Sequence, residues 1–400
     1  MLLDRVAIHG YRGARDVALE PGAMCALVGE SSSGKSTVLA AIWTLLEAAA
    51  PMPTLDDVSH GETRVHIEAV SGDRTLFLDA RPPATLNLNR EGAPPALFFP
   101  ANLRPTTVLA PTGRAAAKPV ELVQRALPRH AGHWADVDGG VALVHAMEGL
   151  VQTRARGLVV LIEEPELYLG PSAQRHLHDL LRRLAARGRN QVLLSTHAPV
   201  FLGVDRLDEL VLVRHVHGVG TVLVQPQPLT PEQSFRVLSE FDAERAELFL
   251  SRAVLLVEGR TEKIALPFVF ERLGHDADRE AIAVVDCAGK GNIPLFAEIC
   301  NACGIPYVVL HDRDAARGEL PAEAERIANE TILRVAGRRR TVTLVPDFEG
   351  VAGLHARRAK PEHAWRRFRG PNAEVPAPLR QAVERVVAAA RKAPRTTVGA

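Results

Sequence analysis

The sequence predicts an α/β protein of two domains, each built on a largely parallel sheet covered by helices. Three observations carry that reading. Short, uniformly apolar runs such as Leu158–Ile162 and Val254–Val257 alternate with amphipathic segments, the pattern of strands buried on both faces. The alternation pauses and restarts near residue 230. The chain has 400 residues, more than a single hydrophobic core usually organises.

In the first expected domain, residues 1–230, segment 2–9 reads as an outer strand and 16–19 and 24–29 as two more, the last feeding a glycine-rich loop. A helix follows over 34–50, with Val38, Leu39, Ile42, Leu45 and Leu46 on its apolar face. Strands at 62–70 and 74–80 flank Ser71-Gly72-Asp73, a hairpin turn. Between Arg81 and Pro128 the prolines leave little room for regular structure apart from a short helix near 119–127. A helix at 139–154, a strand at 158–162, a helix at 172–187 and a strand at 191–195 complete this half. An amphipathic helix over 231–251 then connects, through residue 253, to the second domain. That domain, 254–370, reads as strand 254–257, helix 261–273, strand 281–285, helix 292–303, strand 307–311 and a strand near 341–345, followed by a short basic helical tail over 371–400.

Composition is that of an ordinary globular protein, 46% apolar and 24% charged. With no apolar run long enough to span a bilayer and no secretory leader pattern, the expected location is the cytoplasm, away from any membrane. Four cysteines are too few for a disulfide framework, and the lone Cys300/Cys303 pair has no second pair at zinc spacing, so it reads as two small apolar residues on one helix. The net charge of +1 conceals an asymmetry, because residues 331–400 carry +10 and the remainder −9. The clusters Arg338–Arg340, Arg357-Arg358 with Lys360, and Arg366-Arg367 with Arg369 are either solvated surface or a track for a polyanion.

Two phosphate-handling sites stand out. Gly29 to Thr37 has the form G-x-x-x-x-G-K-[S/T] between a strand and a helix. Gly29 and Gly34 let backbone N–H groups face phosphates, Lys35 would neutralise β/γ charge, and Ser36, followed by Thr37, would reach Mg²⁺. The strand 158–162 delivers Glu163 and Glu164 at its carboxyl end, the first suited to the metal shell and the second to orienting the attacking water. Strand 191–195 ends at Thr196-His197, where His197 would sense the γ-phosphate. ATP with Mg²⁺ is therefore the expected ligand.

The second site is acidic. Glu258 ends a strand, Glu262 follows at the start of a helix, and Asp312 and Asp314 end another strand, two residues apart and so on one side of an extended segment. Four carboxylates at the carboxyl ends of parallel strands repel one another unless cations hold them, and hard oxygen ligands select Mg²⁺ or Mn²⁺.

The nucleotide residues together resemble the ABC-type ATPase heads of chromosome-maintenance and repair proteins, with Tyr11-Arg12-Gly13 similar to the entry loop of that group. The serine-glycine signature expected of such heads is poor: Trp134 to Gly140 lies in its place without the serines. The acidic pattern resembles a Toprim domain, which has a Rossmann-like α/β fold. A topoisomerase would need a tyrosine nucleophile, and Tyr11, Tyr168 and Tyr307 are poorly placed; a bacterial-type primase would bring a zinc module, which is missing. An ABC-type head followed by Toprim resembles the OLD (overcoming lysogenization defect) family of ATP-dependent endonucleases.

That resemblance implies metal-dependent cleavage of DNA by two ions, with Glu258 and Asp312 shared and Glu262 and Asp314 completing the sites. It further implies extra ligands at Asp347 and Glu349, a late catalytic lysine at Lys360, a phosphate contact at Lys290, a homodimer, and a role in defence against phages and mobile elements or in DNA repair. Asp286 reads as a turn residue rather than a ligand. The family usually inserts a long helical dimerisation segment that Pro100 to Gly132 leaves little room for. The alternative is a DNA-binding ATPase that does not cut, a clamp or repair mediator.

Overall fold

The computed structural model describes residues 2–48, 50–101, 139–167, 169–202, 206–242, 244–316, 318–354, 360–370 and 373–393. The short helix expected near 119–127, Tyr168 and positions 134–138 of the poor signature lie outside them. The chain divides into two compact units between Pro228 and Leu229.

The first unit contains two sheets. Strands β1 (Arg5–Tyr11), β2 (Ala14–Leu19), β4 (Val65–Ser71), β5 (Arg74–Arg81) and β6 (Thr85–Asn89) form an antiparallel sheet in the order β2-β1-β4-β5-β6. The second sheet runs β11-β10-β3-β9-β8-β7, from β3 (Met24–Val28), β7 (Ala96–Phe99), β8 (Val159–Glu163), β9 (Gln191–Thr196), β10 (Leu210–Val216) and β11 (Gly220–Val224). All of its pairings are parallel except β10 with β11. Alternation in β4, whose odd-numbered residues from Val65 to Ser71 are buried, marks a sheet with one face on the core, whereas β3 and β9 are buried throughout. Helix α1 (Lys35–Leu46) packs against strands of both sheets, and Trp43 stacks on Phe98 with centroids 5.6 Å apart. Its apolar residues Val38, Leu39, Ile42 and Leu45 share one core with Val6, Ile8, Ile67 and Leu78. Buried Gln191 ties the sheets together by donating to Leu3 O, Pro21 O and Gly22 O and accepting from Leu3 N. Helices α2 (Gly139–Gln152) and α3 (Pro171–Ala185) pack on each other, and α3 lies against β9 and β3.

The second unit opens with α4 (Pro231–Glu240), capped by Thr230 in a reciprocal box with Gln233. The single helix expected over 231–251 is instead broken. Phe241 leaves the helical conformation and a short 3-10 turn follows over Arg245–Leu250, so Phe235 is 72% exposed while Phe241 stacks on Phe296. Four parallel strands follow: β12 (Ala253–Val257), β13 (Ile282–Asp286), β14 (Tyr307–Asp312) and β15 (Thr341–Leu344), in the order β13-β12-β14-β15. They alternate with α5 (Arg260–Arg272), α6 (Ile293–Ala302) and α7 (Glu323–Ala336), and α8 (Phe348–Ala352), α9 (Lys360–Arg369) and α10 (Ala377–Lys392) complete the unit. Leu255, Val257, Val308, Leu310 and Val342 face a core shared with α5, α9 and α10. The alternate residues Val254, Leu256 and Val309 are as deeply buried, on the side where α6 packs. The segment expected as a basic tail thus contributes α10, whose Leu379, Val383, Val386 and Val387 are core residues; its arginines occupy only the outer face.

Cys25, Cys287, Cys300 and Cys303 are all free and buried. Among the described residues no helix is long and apolar enough to cross a membrane.

Candidate nucleotide and metal sites

The glycine-rich loop joins β3 to α1, with β9 standing between β3 and the glutamate strand β8. Gly34 starts the helix at φ +109°, and a Cβ there would meet Thr221 Oγ1 at 2.2 Å; Thr221 Oγ1 in turn donates to Ser33 O at 3.2 Å. A Cβ on Gly29 would lie 2.0 Å from Val213 O. Both glycines are therefore required by close backbone approach as well as by the phosphate-binding conformation. Gly34→Ala is expected to lower stability by about 1–3 kcal/mol and to weaken nucleotide binding, read by chemical unfolding and by titration with a fluorescent ATP analogue. Undiminished stability would contradict this account of the loop.

Lys35 is buried, and its ammonium donates to the carbonyls of Gly29 (2.9 Å) and Glu30 (2.8 Å) inside its own loop. Burial depresses it to about 8, against the opposing pull of Glu164, Glu166 and Glu30. Glu163 ends β8, takes a hydrogen bond from Ser36 and accepts from Ala101 N at 3.3 Å; burial raises its carboxyl. Glu164 adopts a left-handed conformation, φ +45°, while its N–H donates to Ser195 O. His197 Nε2 lies 3.8 Å from Glu164 Oε1, and burial, then the Lys35 charge, lowers the imidazole against the opposing pull of Glu164. Gly29, Gly34, Lys35, Ser36, Glu163, Glu164 and His197 thus converge on the carboxyl edge of one sheet, with Thr37 in the first turn of α1.

Two participants had no assigned role in the sequence reading. Glu166 accepts from Thr196 Oγ1 (2.9 Å) and from His197 N (2.6 Å), fixing the strand end that presents the imidazole. Arg12, held by Asp57 at 2.8 Å, places its charge near Glu163. Glu166 was recognisable as the third acid of the Glu163-Glu164-Pro165-Glu166 run, but only the β8–β9 register shows what it holds.

In the second unit the acids gather at the carboxyl ends of β12 and β14. Glu258 follows β12 directly, and its Oε1 accepts from Asp312 N at 2.7 Å. Asp312 ends β14 and is 9% exposed, and its Oδ1 is buried without a hydrogen-bond partner. Burial, then the neighbouring charges of Glu258, Glu262, Asp314 and Glu349, push its carboxyl up to about 9. Glu262, in the first turn of α5, is 6% exposed and pushed up to about 7 by burial and by Glu258 and Glu349. A lysine stands on each flank. Lys290 ion-pairs with Asp314, lies 2.7 Å from Glu325 and 3.8 Å from Glu258. Lys360, the first residue of α9, lies 2.9 Å from Glu349 and near enough to Asp347 and Asp312 for their charges to raise it further.

The structure therefore brings Glu258, Glu262, Asp312 and Glu349 into one neighbourhood. It turns Asp314 towards Lys290, and it uses Asp347 to cap α8 through Gly350 N at 2.7 Å. Among the described residues no three acidic, histidine or cysteine side chains stand in a ready ligand set, because these carboxylates are engaged by backbone N–H groups and by the two lysines. The donor set nonetheless fits a hard divalent cation: all its atoms are carboxylate oxygens, and the orphaned Asp312 Oδ1 is where positive charge would relieve most repulsion. Lys290 meets carboxylates in this arrangement, whereas a phosphate contact was expected of it, and Glu325 on α7 joins the cluster through it. Helix α7 escaped the sequence reading, and with it Glu325. Asp286 accepts from Ala288 N at 2.7 Å, the turn role expected of it.

The sequence is similar to those of known proteins. Residues 249–314 match the family described as overcoming lysogenization defect protein-like, TOPRIM domain, and residues 142–202 match an AAA ATPase domain family. An OLD nuclease of Thermus scotoductus is 35% identical over 213 residues, covering 49% of this chain and 40% of that protein. The Old nuclease of Escherichia phage P2 is 31% identical over 169 residues, 41% of this chain and 29% of that protein. The chain thus spans well under half the length of either relative. Among solved structures, the C-terminal region of the Xanthomonas campestris pv. campestris OLD protein aligns with 36% of this chain and 96% of its own at 22% identity and a TM-score of 0.28. The SMC head domain from Thermotoga maritima aligns with 57% of this chain and all of its own at 12% identity and a TM-score of 0.38. In one chain, residues 142–202 are thus similar to an AAA ATPase domain and residues 249–314 to the Toprim domain of OLD-like proteins.

Proposed function

We propose that the protein is an ATP-regulated DNA endonuclease whose Toprim unit hydrolyses phosphodiester bonds with the help of divalent metal ions. The observation that carries this reading is the crowding of Glu258, Glu262, Asp314 and Glu349 around the orphaned carboxylate of Asp312, bracketed by two lysines. Purely structural acids are seldom buried against one another, since each adds repulsion that no fold requires.

Glu258 and Asp312 would be shared ligands, with Glu262 and Glu349 on one side and Asp314 on the other. Asp347 would lie in an outer position. Bound Mg²⁺ or Mn²⁺ would supply an activated water and neutralise charge on the scissile phosphate. The chain's own part is to hold these oxygens on rigid strand ends, and to offer Lys360 as a mobile cation for the pentavalent phosphate. Its ammonium is half-exposed and needs to release only Glu349. Lys290, buried at 8% exposure, is better suited to holding Asp314 in place.

In the ATPase unit Lys35 would leave the loop carbonyls for the β/γ-phosphates, Glu163 with Ser36 would hold Mg²⁺, Glu164 would orient the attacking water, and His197 would report loss of the γ-phosphate. A homodimer with ATP between two heads is the assembly this reading implies, and defence against mobile DNA or repair is the role it suits.

The test is incubation of supercoiled plasmid with Mg²⁺ or Mn²⁺, with and without ATP. Nicked circles followed by linear product are expected, dependent on metal and altered in rate by nucleotide. Intact plasmid under every metal and nucleotide condition would leave the clamp-like ATPase as the better description.

A further inference from the structure

We propose that the outer face of α9 seats the phosphate backbone of duplex DNA and leads it to the acid cluster; this rests on the nuclease reading of that cluster. The helix holds Lys360, Arg366, Arg367 and Arg369 against a single acid, Glu362, within ten residues. Buried Ala364 and Phe368 fasten its inner face to the core of the unit, so the cations are carried on a fixed support. The helix begins at the site itself, where Lys360 touches Glu349 at the edge of the buried stripe, and Arg366 and Arg369 follow about two turns on towards its solvent side. At the rise of an α-helix, Lys360 and Arg369 are about 14 Å apart along the axis, the length of about four base-pair steps of B-DNA.

The outer arginines are available to phosphate. Arg366 is 66% exposed and pairs with Glu362 one turn away, an exposed contact of the kind that exchanges readily for a polyanion. Arg369 lies over the Trp365 ring at 4.8 Å, a contact that leaves the guanidinium's charge available to a phosphate. With Trp365 partly buried beneath Arg369 and Phe368 fully buried, the face offers more cations than ring surface for stacking bases, which favours an intact duplex over a single strand.

The other arginine cluster is differently placed. Arg338–Arg340 lie in the turn before β15, at the amino end of the sheet and opposite the acids. Arg340 is engaged by Asn301 Oδ1 at 2.9 Å and by the face of Tyr307. Of the basic clusters in the described residues, α9 is the one that starts at the candidate centre.

The test uses the full chain with chelator present, so that binding is read without cutting, and follows the fluorescence anisotropy of a labelled DNA duplex across salt concentrations. Arg366→Gln combined with Arg369→Gln is expected to weaken binding by about tenfold or more and to reduce the slope of log K against log salt by about 1–2. Arg338→Gln combined with Arg339→Gln is expected to leave both unchanged, and circular dichroism should be identical for all proteins. Unchanged affinity and slope in the α9 variant, an equal loss in the control, or tighter binding to an RNA duplex would overturn the proposal. Failure of the parent protein to nick plasmid, with α9-dependent binding intact, would count against the nuclease reading alone; nicking by a parent whose α9 variant binds DNA normally would count against α9 alone.

Discussion

Asp312→Asn is expected to reduce metal-dependent nicking of supercoiled plasmid by on the order of 10³-fold while leaving ATP binding intact. The substitution keeps the shape of the side chain and removes the carboxylate that a bound cation would hold ionised, at the point on which Glu258, Glu262, Asp314 and Glu349 all bear. It also replaces one of the two oxygens with an amide nitrogen that cannot coordinate Mg²⁺. Glu258→Gln should behave alike, since Glu258 supports the Asp312 backbone and stands beside Lys290. Asp286→Asn serves as the control. Its carboxylate closes a turn through Ala288 N, and activity should remain within a few-fold of the parent. Equal nicking by the parent and the Asp312 and Glu258 variants would remove the acid cluster from the chemistry.

The same Asp312→Asn protein should be more stable than the parent in chelator at pH 8, by about 2–4 kcal/mol. The sign follows from the direction of the shift. Asp312 titrates at about 9 in the folded chain, whereas an unfolded aspartate titrates near ~3.9. Below the lower value both states carry the proton and burial adds no penalty. As pH rises towards 9 the unfolded chain releases its proton while the folded chain retains it, so stability falls across that window and levels off above it. Glu262, raised to about 7, adds to the decline in the same direction. An asparagine cannot ionise, and its variant should show a shallower fall between pH 5 and 8 in urea unfolding. Added Mn²⁺ should raise the parent's midpoint and leave the variant's nearly unmoved. A variant no more stable than the parent at pH 8 would mean that the cluster is less strained than its burial implies. A site that costs stability when empty of counter-charge is the usual signature of function competing with folding.

Much of this architecture was legible in the sequence, and the failures have physical causes. Strands β8, β9, β12 and β14 are built on short apolar runs, Val159–Ile162, Val192–Leu194, Ala253–Val257 and Val308–Leu310, because both faces are covered, and such runs are hard to mistake when turn residues bound them. Strands β6 and β7 were hidden among prolines that in fact sit in the connecting turns. Strands β10 and β11 fell between residues 196 and 230, where no element was assigned: β10 is an apolar run, Leu210–Val213, that turns polar at Arg214-His215, and its antiparallel partner is too short to show an alternation. Helix α9 was obscured by its own charge: with only Ala364 and Phe368 buried, its apolar stripe is too thin to register as a period of 3.6. The acids were found because two strand ends name them, whereas Glu325 reaches the cluster only through a tertiary contact with Lys290.

The placement of α10 has a consequence for how the protein comes into being. Helix α10 covers β12 and β14, the strands that carry Glu258 and Asp312, so the first strand of the unit finds its cover far along the sequence and its core closes through a long-range contact. Without α10 this sheet would keep one apolar side bare, and a chain cut before Ala377 is expected to aggregate rather than fold as a smaller unit.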